Sequence, residues 1–74
     1  MLGGMSDDTY KARYWQHSRQ REEECPTLDE AVTFLAYGLY DYGRLSPAAV
    51  VGPDGTVVLE GEALTERMMA AYGD

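Results

Sequence analysis

The sequence predicts a small α+β domain: two N-terminal helices, a β-hairpin and a C-terminal helix. Three observations carry this reading. Leu28, Val32, Leu35, Leu39 and Tyr42 recur at helical spacing, Gly52-Pro-Asp-Gly55 separates two short β-prone runs, and Leu64, Met68, Ala71 and Tyr72 make a second helical stripe near the end. Residues 1–6 read as a flexible tail and 7–74 as a single acidic domain.

The first helix is expected over 7–24. Ser6 is suited to cap it, and Asp7 and Asp8 sit where the positive end of the helix dipole favours acid. Tyr10, Tyr14, His17 and Arg21 fall on one stripe, with Lys11 and Trp15 beside it. The apolar face is thin, and Glu22, Glu23 and Glu24 crowd the C-terminal end, where the dipole disfavours anions. For the second helix, Thr27 with Glu30 three residues later fits a capping box. Ala31, Phe34 and Gly38 widen its stripe, Gly43 is placed to end it in the left-handed conformation, and Pro47 follows.

Residues 48–60 read as a hairpin of Ala48–Val51 and Thr56–Leu59. Pro53 presets φ, Asp54 can bond its own backbone and Gly55 accepts a positive φ. Alternation groups Ala49, Val51, Val57 and Leu59 on one face and leaves Val50 and Val58 on the other. Two strands are marginal alone, so Val50 and Val58 are expected to meet a further neighbour, the same hairpin of a second chain. The last helix spans about 61–72, with Glu62 and Glu66 near its start.

Size sharpens the expectation of company. A chain of 74 residues is one domain at most, and such a domain buries only ~60% of its unfolded surface. Cys25 is the only cysteine and His17 the only histidine, which excludes an internal disulfide and a thiolate–imidazole zinc cluster. Self-association or a partner remains the expected supplement. No apolar run reaches the ~18 residues of a membrane span. The start lacks the basic and apolar regions of a signal peptide, and with the free thiol this favours the cytoplasm.

Charge is uneven. Residues 1–21 hold Lys11, Arg13, Arg19 and Arg21 against Asp7 and Asp8, a net of +2, whereas 22–74 carry −9, for a total of −7. Such a body repels nucleic acid and anionic membrane. Cations interleaved with Tyr10, Tyr14 and Trp15 are ingredients of single-strand contact, but the acidic body opposes it. Direct nucleic-acid binding is therefore not expected. Tyr, Trp and Arg are also the types enriched in protein-interface hot spots. Tyr10, Tyr14, Trp15 and Arg19, together with Tyr37 and Tyr40 at the end of the second helix, are the expected partner-binding residues.

No catalytic, cofactor-binding or metal-ligating residue is assigned. His17 lacks a nucleophile and an oxyanion site arranged around it. Three glutamates before Cys25 blunt its thiol. The Glu22–Glu24 run with Asp29 and Glu30 has no loop of the length that gathers oxygens round a hard cation.

The stretch Thr27–Met69, with Asp41-Tyr-Gly43, Ser46-Pro47, Pro53-Asp-Gly55 and Val57-Val-Leu59, resembles short uncharacterised proteins of actinobacteria and their phages. The resemblance implies a compact cytoplasmic domain acting on a protein target and carries no activity or ligand. The expected function is a non-enzymatic protein-interaction module that self-associates. The alternative is an acidic decoy that mimics nucleic acid to occupy another protein's binding site, which requires carboxylates in rows on one surface.

Overall fold

The computed structural model describes residues 9–41, 43 and 45–73. The expected tail, Ser6 with Asp7 and Asp8, and the core position proposed for Tyr42 lie outside the described residues.

Residues 10–25 correct the expected architecture: they form a β-hairpin, not a helix. β1 (Tyr10–Gln16) pairs antiparallel with β2 (Arg19–Cys25) without interruption. The physical reason is a period of two that overrides the helical spacing of the aromatics. Tyr10, Ala12 and Tyr14 point one way, while Lys11, Arg13 and Trp15 point the other. Two of the glutamates that would strain a helix C-terminus instead stand opposite cations across the ladder. Lys11 opposes Glu24 and Arg13 opposes Glu22, and Arg13 Nε donates to Glu22 Oε2 at 2.9 Å.

The chain then runs through α1 (Leu28–Tyr40), β3 (Ser46–Val51), β4 (Val57–Glu60) and α2 (Gly61–Gly73). The order is therefore β-β-α-β-β-α, still α+β but with one helix, not two, before the second hairpin. The four strands make one antiparallel sheet, β2-β1-β3-β4. Thr27 caps α1 through its hydroxyl, which accepts from Glu30 N–H at 3.1 Å, a contact worth about 1 kcal/mol. The β3–β4 turn closes with Asp54 Oδ1 accepting from Thr56 N–H at 3.0 Å. That bond holds the Asp54 carboxyl below its ordinary range, and Gly55 takes the required positive φ of 88°.

Both helices pack on one sheet face. Val32, Leu35 and Ala36 from α1 and Leu64 and Met68 from α2 meet Ala12, Tyr14, Cys25 and Val50 from the sheet. Two bulges set which hairpin residues reach this core. One, at Ala48, accommodates Pro47, which has no N–H for a ladder. The other lies between Val50 and Val51, so Val50 and Leu59 join the core while Val51 pairs with Val57. The expected face assignment is thus corrected: Val50 is fully buried within its own chain and presents nothing to a second one. Val58 remains 44% exposed on the short edge strand β4. Ala49 and Val51 lie on the helix-free face, as small residues of a central strand flanked by longer side chains, and are almost covered. Among the described residues, no helix is long and apolar enough to cross a membrane.

Candidate functional site

The hairpin divides the residues expected to bind a partner. Trp15 projects from the helix-free face and is 46% exposed. Tyr14 and Tyr10 turn to the helix side, Tyr14 buried and Tyr10 packed against the core. Arg19 is exposed beside the turn. The cations divide in the same way, Lys11 and Arg13 on one face and Arg19 and Arg21 on the other. Arg13 is held by Glu22, so the interleaved cations and aromatics do not converge on one basic surface.

Tyr14 instead joins the aromatic side chains of α1. Its ring stacks at a tilt on Phe34 of α1, with centroids 5.5 Å apart. Both line an open apolar groove of about 310 Å³, together with Gln16, Thr33, Tyr37, Gly38 and Leu45. Gly38 is there for a close approach: a Cβ at this position would lie 2.8 Å from Leu45 Cγ. A side chain on α1 would therefore push Leu45 off the wall.

Tyr37 continues this surface toward α2. Its ring meets Tyr72 edge-on at 5.2 Å, and Tyr40 meets Tyr72 at 5.1 Å, geometries that suit the aromatic quadrupole. Beyond them Tyr40, Met69, Tyr72 and Gly73 border a shallower hollow. Tyr37, Tyr40, Met69 and Tyr72 are 42, 40, 58 and 38% exposed. These four account for most of the large apolar side chains left exposed among the described residues. Sequence reasoning placed Tyr37 and Tyr40 here. It assigned Tyr72 to an inner stripe and did not single out Phe34, Leu45 or Met69 for the surface.

One polar contact fixes the cluster. Tyr72 O–H donates to Asp41 Oδ1 at 2.6 Å, joining the ends of α1 and α2. This hydrogen bond, then desolvation and the Asp41 charge, raise the Tyr72 phenol above its ordinary 10. The folded chain thus holds the proton more tightly than the unfolded chain, which releases it first as pH rises. The contact's stabilisation is expected in full below pH 10 and is lost through the raised value. Urea midpoints taken across pH 8–12 are expected to fall more steeply for the wild type than for Tyr72→Phe above about pH 10; parallel profiles would remove the linkage.

His17 occupies the exposed hairpin tip. Cys25 is buried, and desolvation, then Glu23 and Glu30, raise its thiol, the opposite of what a nucleophile needs. Among the described residues, no three His, Cys, Asp or Glu side chains gather as metal ligands. No family model, curated protein or solved structure matches the chain.

Proposed function

We propose that this protein is a non-enzymatic interaction module of the cytoplasm that self-associates and docks a second protein on its aromatic surface. The observation that carries the reading is the continuity of that surface, from the Tyr14–Phe34 groove through Tyr37 to Tyr40, Tyr72 and Met69. Contiguous apolar patches rimmed by polar groups mark interaction sites. Tyrosines supply large, rigid contact area and are enriched among hot spots.

The groove suits an extended segment carrying one aromatic or large aliphatic anchor. The net charge of −7 and the nearby Asp41 favour Lys or Arg flanking that anchor. The decoy reading receives less support. Glu22 and Glu24 lie on one face of β2 and Glu23 on the other, and Glu22 and Asp29 are already paired with Arg13 and Arg67.

Panning a random peptide library on the immobilised chain is expected to enrich peptides with an apolar anchor flanked by cations. Their binding should shift the NMR signals of Phe34, Tyr37 and Leu45. Tyr37→Ala is expected to weaken such a peptide by more than about 2 kcal/mol, the scale of a hot spot. No enrichment, or shifts confined to other surfaces, would remove this reading.

A further inference from the structure

Among the described residues the sheet has two free edges, and they differ. β4 is four residues long, bulged, and runs directly into α2. Short length and a bulge are the devices by which proteins discourage edge pairing. β2 is seven residues long, regular along its whole register with β1, and exposed from Arg19 to Glu24. Only Cys25, at its end, reaches the core. The helices leave the rest of β2 uncovered, so a strand can be added there without striking a helix.

The charge order along this edge is arginine first and glutamate second: Arg19, Gln20, Arg21, Glu22, Glu23, Glu24. An edge of one sign repels a copy of itself. This one, laid antiparallel to a copy, sets its basic half against an acidic half.

From this juxtaposition we infer that β2 pairs with β2 of a second copy, across a two-fold axis through Glu22, to make one eight-stranded antiparallel sheet. The inference rests on the self-association part of the function proposed above and names its surface.

The pleat fixes the register. Side chains directly opposed in a ladder share a face, and a two-fold axis perpendicular to the sheet preserves faces. Paired residue numbers must then add to an even number. A two-residue hairpin closes on a hydrogen-bonded pair, here Gln16–Arg19. Alternation turns the backbone groups of Arg19, Arg21, Glu23 and Cys25 toward β1, and those of Gln20, Glu22 and Glu24 toward the free edge.

Centring on Glu22 pairs the whole strand and uses all three outward-facing residues. It sets Arg21 opposite Glu23 of the second copy, twice, and Gln20 opposite Glu24. The two Glu22 side chains meet at the axis, each already neutralised by its own Arg13 at 2.9 Å. Slipping the sum down by two opposes Arg21 with Arg21, and slipping it up by two opposes Glu23 with Glu23. Within one chain Arg21 and Glu23 face Tyr14 and Ala12 across the ladder, so among the described residues changing their charge breaks no ion pair, and Arg21→Glu gives up only the 3.5 Å bond that Arg21 donates to Gln16 Oε1.

Sedimentation equilibrium on the full chain, up to millimolar concentration, tests the pairing. The wild type is expected to dimerise. Arg21→Glu alone and Glu23→Arg alone are each expected to weaken the dimer roughly tenfold or more, since two favourable cross-strand pairs become repulsive. Arg21→Glu/Glu23→Arg together are expected to restore it, because the exchange is reciprocal across the axis. A wild type that stays monomeric overturns both the pairing and the self-association reading. A dimer indifferent to the single reversals overturns the β2 pairing alone. Failure of the double exchange to restore a dimer that the single changes dissociate overturns the register.

Discussion

Leu35→Ala is expected to leave the chain largely unfolded at 25 °C. Leu35 is completely buried at the centre of α1, surrounded by the buried residues of α2 and the sheet. Truncating a buried leucine loses its transfer free energy and leaves a cavity, together about 2–5 kcal/mol. A single core of this size rarely supplies more than about 3–5 kcal/mol of net stability, so the loss is comparable with the whole. The interior offers little relief, because several of its members (Ala12, Ala31 and Ala36, all fully buried) are too small to fill the space left. Leu39→Ala, at a partly buried position of the same helix, is the control and is expected to cost less. Urea denaturation followed by far-ultraviolet circular dichroism checks the pair. A Leu35→Ala chain with a full baseline and a midpoint near that of Leu39→Ala would show that the core lies elsewhere.

The parts of the fold that could be read from the chain were those where local chemistry and burial agree. Thr27 and Glu30 mark the start of α1 through a cap that forms with the expected bond. Leu28, Val32 and Leu35 run down its buried stripe. Pro53, Asp54 and Gly55 specify a turn whose hydrogen bonds are local. Residues 10–25 were misread because two periodicities overlap there. Tyr10, Tyr14 and His17 satisfy a helical stripe, and Tyr10, Ala12 and Tyr14 satisfy an alternating one. Alternation wins because only it buries Ala12 and places Lys11 and Arg13 opposite Glu24 and Glu22. That mirrored charge order was legible as a hairpin signal. The turn between the strands was not, since His17-Ser18 lacks the asparagine or glycine that announces a two-residue connection.

The exposed aromatic surface was legible by halves. Tyr37 and Tyr40 stand off the buried stripe of α1, so helical geometry alone exposes them. Tyr72 reaches them only because α2 packs against α1 and the Tyr72 hydroxyl donates a hydrogen bond to Asp41, and nothing in the local sequence encodes that contact. Tyr14 joins Phe34 only once the sheet exists. Site residues supplied by a single helix were readable; those supplied by tertiary contact were not.

The same turn yields the largest expected gain in stability. His17 and Ser18 both occupy the left-handed region, with φ of 54° and 67°. A left-handed conformation costs an L-residue with a side chain roughly 1–2 kcal/mol, and asparagine followed by glycine is the pair that tolerates it best. His17→Asn/Ser18→Gly is therefore expected to stabilise the chain by about 1–2 kcal/mol net, after the greater freedom glycine gives the unfolded state. In a domain of this length each kilocalorie raises Tm by about 4–8 °C. Where the gain appears depends on how the hairpin is coupled to the rest. β1 carries Ala12 and Tyr14 into the core, whereas β2 is anchored only by Cys25. If the two strands melt with the core, Tm rises. If β2 opens first, Tm stays and amide exchange at Arg21 and Glu23, whose N–H groups face β1, slows instead. An unchanged Tm together with unchanged exchange would mean that the turn holds no strain, and the left-handed pair at its tip would then need another account.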